Sequence, residues 1–162
     1  MSTISNPDFS AIEAFVFDVD GVLTDGTLLA LSTGEQARTF HIRDGYAIRH
    51  ALRRGYRVVI ISGRQEEGVR RRLESLDVTE IYLGVDDKVQ VFGACGLDAA
   101  RVAYMGDDMP DLDVMQRCHL AACPADAAAD VRAISQYVAQ LPGGRGAVRE
   151  LIEAVMKAQG RW

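Results

Sequence analysis

Apolar runs rich in β-branched residues alternate along this chain with stretches whose apolar positions recur at helical spacing. Ala14-Phe15-Val16-Phe17 is a short uninterrupted apolar run that ends in an acidic turn, which predicts a buried strand. Arg57-Val58-Val59-Ile60-Ile61 predicts another, and Glu80 to Leu83, Arg101 to Met105, His119 to Ala122 and Tyr137-Val138 predict the rest. Between the first two, Ala47, Ile48, Ala51 and Leu52 form one helical face within Tyr46 to Arg54, and Gly55 is placed to stop it. Further helices are predicted over Gln65 to Leu76, Asp87 to Cys95, Leu112 to Arg117, Ala125 to Ile134 and Ala147 to Ala158. Repeated strand–helix alternation implies a Rossmann-like, doubly wound α/β fold, with a parallel sheet covered by helices on both faces. Thr27 to Ile42 breaks the alternation. Two extended segments, Thr27 to Leu31 and Ala37 to Ile42, flank Ser32-Thr33-Gly34-Glu35, so residues 27–42 read as a protruding β-hairpin.

At 162 residues, 48% hydrophobic and 25% charged, the chain has the size and composition of one soluble globular domain, with residues 11–158 as its core. Its 18 Lys+Arg against 23 Asp+Glu leave a formal net charge of −5, which argues against nucleic-acid binding through bulk charge. An anionic small molecule stays open, because a metal ion and a few basic side chains make a local positive pocket in an acidic protein. Cys95, Cys118 and Cys123 are too few and too irregular for a disulfide framework, and an odd count suits a reducing compartment. Cys118-His119 and Cys123 lack a fourth ligand at suitable spacing for zinc, so the cysteines read as small buried hydrophobes. Met1 to Ser10 is polar, without the basic start and apolar run of a secretory signal. No apolar stretch approaches the ~20 residues of a membrane span. A cytoplasmic protein without membrane or nucleic-acid partners is expected.

Open parallel sheets bind ligands beyond the carboxyl ends of their strands, and here three predicted strands end in polar chemistry. The first leads into Asp18-Val19-Asp20-Gly21-Val22-Leu23-Thr24. Two carboxylates this close repel unless a cation lies between them or one holds a proton. The first is then suited to bind Mg²⁺ and attack phosphorus, the second to work as acid and base, while Gly21 lets the backbone leave the strand. Calcium loops also use Asp-x-Asp-Gly, but they need a longer ligand series and a closing Glu, and Val22 and Leu23 oppose that reading. After Val58 to Ile61 comes Ser62, whose hydroxyl suits phosphate oxygens near a helix start; taken alone, an N-cap serine is the simpler account. Lys88 would sit at a helix start, where the dipole disfavours a cation and a phosphate would justify one; taken alone it reads as a solvated lysine. Gly106-Asp107-Asp108-Met109-Pro110-Asp111 crowds three acids after a buried strand, a good magnesium shelf, although an acidic N-cap cluster serves equally in isolation.

The order Asp-x-Asp, Ser, Lys, Asp-Asp across Phe15 to Val114 resembles the motif set of the haloacid dehalogenase superfamily. That resemblance implies Asp18 as nucleophile and Asp20 as general acid/base, with the Asp20 backbone carbonyl also on the magnesium ion. It further implies Asp107 as a metal ligand, Asp108 or Asp111 as support behind it, and Ser62 with Lys88 on the phosphoryl group. Asp20 is a phosphatase feature, since dehalogenases lack it. Neither interval between the first three motifs has room for a cap domain. Among capless members the chain resembles the 3-deoxy-D-manno-octulosonate 8-phosphate phosphatase family. The likeness lies in Phe17 to Gly26 (FDVDGVLTDG), Arg43-Asp44-Gly45-Tyr46 with Ile48-Arg49, Gly143 to Glu150 (GGRGAVRE), and Ala158-Gln159-Gly160. It implies a magnesium-dependent phosphatase of lipopolysaccharide precursor synthesis, acting through an aspartyl phosphate. A homotetramer is also implied, in which the hairpin and the C-terminal part meet a neighbouring subunit near the site. Arg145 is then suited to pair with the sugar carboxylate, beside the close backbone approach that Gly144 allows, with Arg64 and Arg49 as further anion contacts. A plain surface loop is the alternative for the glycine-rich stretch. A phosphatase for 2-keto-3-deoxynonulosonate 9-phosphate would share these motifs; a non-catalytic scaffold would leave the intact acids unexplained.

Overall fold

The computed structural model describes residues 7–162; residues 1–6, part of the polar N-terminal stretch, lie outside the described residues. Strand β1 (Ala14–Phe17) is followed by a short hairpin, β2 (Leu29–Ala30) and β3 (Gln36–Ala37). Then come α1 (Ile42–Arg53), β4 (Arg57–Ile61), α2 (Glu67–Glu74), β5 (Glu80–Tyr82) and α3 (Lys88–Ala94). The chain closes with β6 (Val102–Met105), α4 (Leu112–Met115), β7 (Leu120–Cys123), α5 (Ala129–Ile134), β8 (Tyr137–Val138) and α6 (Ala147–Ala158). Six strands form one sheet in the order β5-β4-β1-β6-β7-β8, and every neighbouring pair is parallel. This is the doubly wound α/β sheet that the alternation predicts. Among the described residues no cap domain interrupts it. From β1 the chain winds outward through β4 to β5, then crosses to β6 and winds the other way, so the direction of winding switches beside β1.

Both faces of the sheet are covered, which is why its strands are apolar runs rather than alternating ones. Phe15, Phe17, Val58, Ile60 and Met105 pack with residues of α1, α2 and α6, among them Ile48, Leu73 and Ile152. Their neighbours Val16, Val59, Ile61 and Tyr104 pack on the opposite face with Phe92 of α3, Val114 and Met115 of α4, and Val131 of α5. Cys118 and Cys123 are buried in this second layer, as small hydrophobes. Among the described residues no helix is long and apolar enough to cross a membrane.

Three elements differ most from the sequence reading. Helix α1 begins at Ile42, not Tyr46, because its first turn carries no apolar repeat: its buried positions are Asp44 and Gly45, and its one apolar side chain, Ile42, is 83% exposed. Within that turn Asp44 is buried, and its Oδ1 accepts the Arg149 N–H at 2.8 Å. It thereby caps α6, whose own N-cap, Gly146, has no side chain to offer. Helix α5 begins at Ala129, not Ala125, because the preceding turn is tied elsewhere: the Ala125 N–H donates to the Leu141 carbonyl, and Asp126 Oδ1 accepts the Gly143 N–H. The hairpin is present but its strands are only two residues long, closed by Gly34 at φ +89°.

Candidate active site

Asp18 follows β1, Ser62 follows β4, Asp107 and Asp111 follow β6, and Lys88 opens α3; all line one cleft of about 490 Å³. The Asp18 N–H donates to the Met105 carbonyl at 3.2 Å, continuing the sheet one residue past β1. Its carboxylate folds back to accept the Val19 N–H at 2.7 Å. Gly21 then turns the chain at φ +87°, and a Cβ there would overlap the Asp107 carboxylate. The fully buried Thr24 hydroxyl holds the turn, accepting the N–H groups of Gly21 and Gly26 at 3.3 Å each.

The electrostatics of the cleft are unbalanced. Carboxylate oxygens of Asp18, Asp107 and Asp111 lie within 4.8 Å of one another. The Lys88 ammonium stands between two of them, 2.7 Å from Asp111 Oδ1 and 3.2 Å from Asp18 Oδ1. Burial, then the charge of Asp111, push the Asp18 carboxyl up to about 7 although Lys88 opposes the shift. Burial, then Asp18 and Asp111, push Asp107 up to about 8. Burial alone would lower the Lys88 ammonium; Asp18 and Asp111 outweigh it and leave it above its ordinary value. One cation among three converging acids leaves negative charge uncompensated, and the donors are all hard oxygens, a set that suits a magnesium ion.

Each expected site residue now has a place. Ser62 is 2% exposed and is not the N-cap of α2, which starts at Glu67 with Glu66 as its cap. Lys88 is buried, not solvated. Of the two candidate supporting acids, Asp111 is the one engaged. Its Oδ1 accepts from Lys88 and the Tyr104 hydroxyl, and its Oδ2 accepts the N–H groups of Asp107 and Asp108 at 3.1 and 3.4 Å. Asp108 is exposed and its carboxylate accepts the adjacent Met109 N–H. The Asp20 carboxylate is gripped by Arg38, a residue the sequence reading did not single out. Arg64 lines the cleft.

Two of the expected contact residues are engaged elsewhere. Arg49 does not reach the cleft. It pairs with Asp77 at 2.9 Å and donates to the Ser75 carbonyl, between the end of α2 and the entry to β5, on the far edge of the sheet. Gly144 is turned to the protein's own backbone. At φ +66° it donates its N–H to the Val22 carbonyl, and a Cβ there would overlap the backbone of Thr24 and Asp25. Its neighbour Gly143 presses on Gly21 in the same way, so the glycine-rich segment props the Asp18–Asp25 loop from behind. Arg145 is not among the residues that line the cleft; its Nη2 lies 3.5 Å from Asp25 Oδ2, on the loop that follows Asp20. Gly143→Ala should cost about 1–3 kcal/mol through overpacking against the Gly21 carbonyl. A urea unfolding midpoint equal to wild type would remove this propping role.

No family model matches the chain. The 3-deoxy-D-manno-octulosonate 8-phosphate phosphatase of Escherichia coli K12 is 38% identical over 154 residues, covering 93% of this chain and 82% of that protein. The chain belongs to the 3-deoxy-D-manno-octulosonate 8-phosphate phosphatase family. A solved phosphatase of that name from Moraxella catarrhalis, in complex with a magnesium ion, a phosphate ion and KDO, superposes with a TM-score of 0.88 at 34% identity. The match covers 94% of this chain and 90% of that one. A Legionella pneumophila protein assigned to the HAD superfamily, subfamily III A, superposes at 0.89 with 35% identity, covering 94% of this chain and 86% of that one. The octulosonate phosphatase family and its superfamily thus agree with the motif order along this chain.

Proposed function

We propose that this protein is a magnesium-dependent phosphatase that hydrolyses 3-deoxy-D-manno-octulosonate 8-phosphate to the free sugar acid and phosphate, in lipopolysaccharide precursor synthesis. The observation that carries this reading is the convergence of Asp18, Asp107 and Asp111 around Lys88 at the carboxyl edge of the sheet. Asp18, Asp107 and the Asp20 backbone carbonyl would hold Mg²⁺, with Asp111 supporting them from behind, and the ion when bound would offset charge on the phosphoryl oxygens and keep the acids ionised.

In this mechanism an Asp18 carboxylate oxygen attacks phosphorus in line, and the bond from phosphorus to the sugar oxygen breaks. The Asp20 carboxyl group gives its proton to that departing oxygen. Lys88 and the Ser62 hydroxyl hold the transferring group in place. The Asp20 carboxylate then takes a proton from water as the water oxygen attacks the aspartyl phosphate, releasing phosphate and restoring Asp18. Arg64 in the cleft, and Arg145 beside Asp25 on the loop that follows Asp20, are suited to the sugar carboxylate.

The assembly reading, a homotetramer, is supported by the hairpin, where Leu28, Leu29 and Leu31 are 41%, 64% and 40% exposed. A cytoplasmic location is supported by the free thiols of Cys95, Cys118 and Cys123. The test is phosphate release from a panel of eight-carbon and nine-carbon acid sugar phosphates and neutral hexose phosphates, with and without Mg²⁺. Metal-dependent turnover with preference for the eight-carbon acid is expected. Equal rates on hexose phosphates would defeat the substrate assignment, and no release with Mg²⁺ on any member would defeat the enzyme.

A further inference from the structure

Arg38 follows β3 in the hairpin, 18 residues beyond Asp20, and its side chain is only 2% exposed. It grips the Asp20 carboxylate with two donors, Nε to Oδ1 at 2.6 Å and Nη2 to Oδ2 at 3.2 Å. The third nitrogen, Nη1, donates to the Gln36 carbonyl of the hairpin at 3.1 Å and lies 3.9 Å from Glu66 Oε1, on the residue that caps α2. The guanidinium is thus fixed to the hairpin at its back and to the Asp20 carboxylate at its front. Two parallel donors on two oxygens set the plane of a carboxyl group, whereas a single hydrogen bond leaves it free to rotate. Asp20 itself lines the cleft beside Asp18 with its side chain 29% exposed, and no other side chain donates to its carboxylate among the described residues.

We propose that Arg38 is a positioning residue for the Asp20 carboxyl group, and that through it the hairpin sets how efficiently the leaving group is protonated. This rests on Asp20 being the acid/base of the proposed phosphatase. When phosphorus leaves the sugar oxygen for Asp18, the Asp20 proton must lie on the line towards that oxygen. The same orientation, with the proton gone, aims a carboxylate oxygen at the water that follows. Arg38 touches neither substrate nor phosphoryl group in this role. It acts through Asp20 alone, and it makes the hairpin part of the site as well as a surface for a neighbour.

The test compares kcat/KM, which reports the first transfer only, for two substrates. The eight-carbon acid sugar phosphate loses a poor alkoxide that needs a proton; p-nitrophenyl phosphate loses a phenolate that does not. Arg38→Met should lower kcat/KM about 100-fold on the sugar phosphate and less than about 5-fold on the aryl phosphate. Arg38→Lys should recover part of the loss, since one ammonium replaces a fork of two donors. In Asp20→Asn the same Arg38→Met change should have little further effect, because the group it positions is no longer an acid. Equal losses on both substrates in Arg38→Met, or multiplying losses in the double variant, would overturn the proposal and mark Arg38 as structural. The parent reading fails separately: wild-type protein with Mg²⁺ would then release phosphate from neither substrate.

Discussion

Asp18→Asn should lower kcat by roughly 10⁴-fold or more while leaving the fold in place. An amide presents no nucleophilic oxygen to phosphorus, so the first transfer has no acceptor. The substitution is nearly isosteric, and the Val19 N–H at 2.7 Å keeps an oxygen to bond to. Stability should move in a direction that depends on pH. The folded-state Asp18 carboxyl is pushed up to about 7 by burial and by Asp111, above its ordinary value near 4. Its contribution to stability is therefore fully present below the unfolded value and lost as pH rises through about 7. In metal-free buffer at pH 8 the wild type carries that penalty and Asp18→Asn does not, so the variant should melt at the same temperature or higher. Steady-state phosphate release and thermal melting, each with and without Mg²⁺, read the two effects. Appreciable turnover by purified Asp18→Asn would move the nucleophile to another acid of the cluster.

The site residues that the sequence disclosed share one property: each stands next to an apolar run or at a helix start. Asp18, Ser62 and Asp107 come directly after buried strands, so a parallel sheet necessarily delivers them to the same edge. Lys88 and Asp111 follow from the same logic one turn later. What chain order cannot convey is the direction in which a side chain leaves a helix or a turn. Asp108 and Asp111 are equivalent in composition, and only the tight turn at Met109-Pro110 sends one carboxylate to Lys88 and the other to its own backbone. Arg49 lies away from the cleft for a related reason. A helix that returns from the ligand edge carries its later residues to the far edge, where Asp77 and Ser75 wait. Gly144 illustrates a different ambiguity, since a glycine that admits a ligand and one that admits a neighbouring backbone look alike in sequence. Arg38 had no signal at all: a single basic residue in a short hairpin belongs to no period and no motif.

Lys88→Met separates the two charges that Lys88 is asked to balance, that of the acid cluster and that of the phosphoryl group. In metal-free protein the ammonium is, among the described residues, the one cation within 3.2 Å of Asp18 and Asp111, and removing one partner of a buried ion pair is costly because the other charge stays behind. Here the remaining acids have a release, since protonation is already favoured at about 7 for Asp18 and about 8 for Asp107, and losing Lys88 raises both further. Groups whose folded values are raised support stability at low pH and withdraw it as pH climbs through those values. The destabilisation should accordingly be small at pH 6 and reach about 3 kcal/mol at pH 9, read as the urea midpoint. Mg²⁺ should restore most of it, because a divalent ion offsets the same carboxylates and adds its binding free energy to the folded state. The rate should not return. With the metal saturating, kcat should remain about 100-fold to 1,000-fold below wild type, since the ammonium that meets the transferring group is still missing. Recovery of the rate along with the stability would mean that Lys88 serves the acid cluster alone, and that Ser62 and the metal suffice to hold the phosphoryl group.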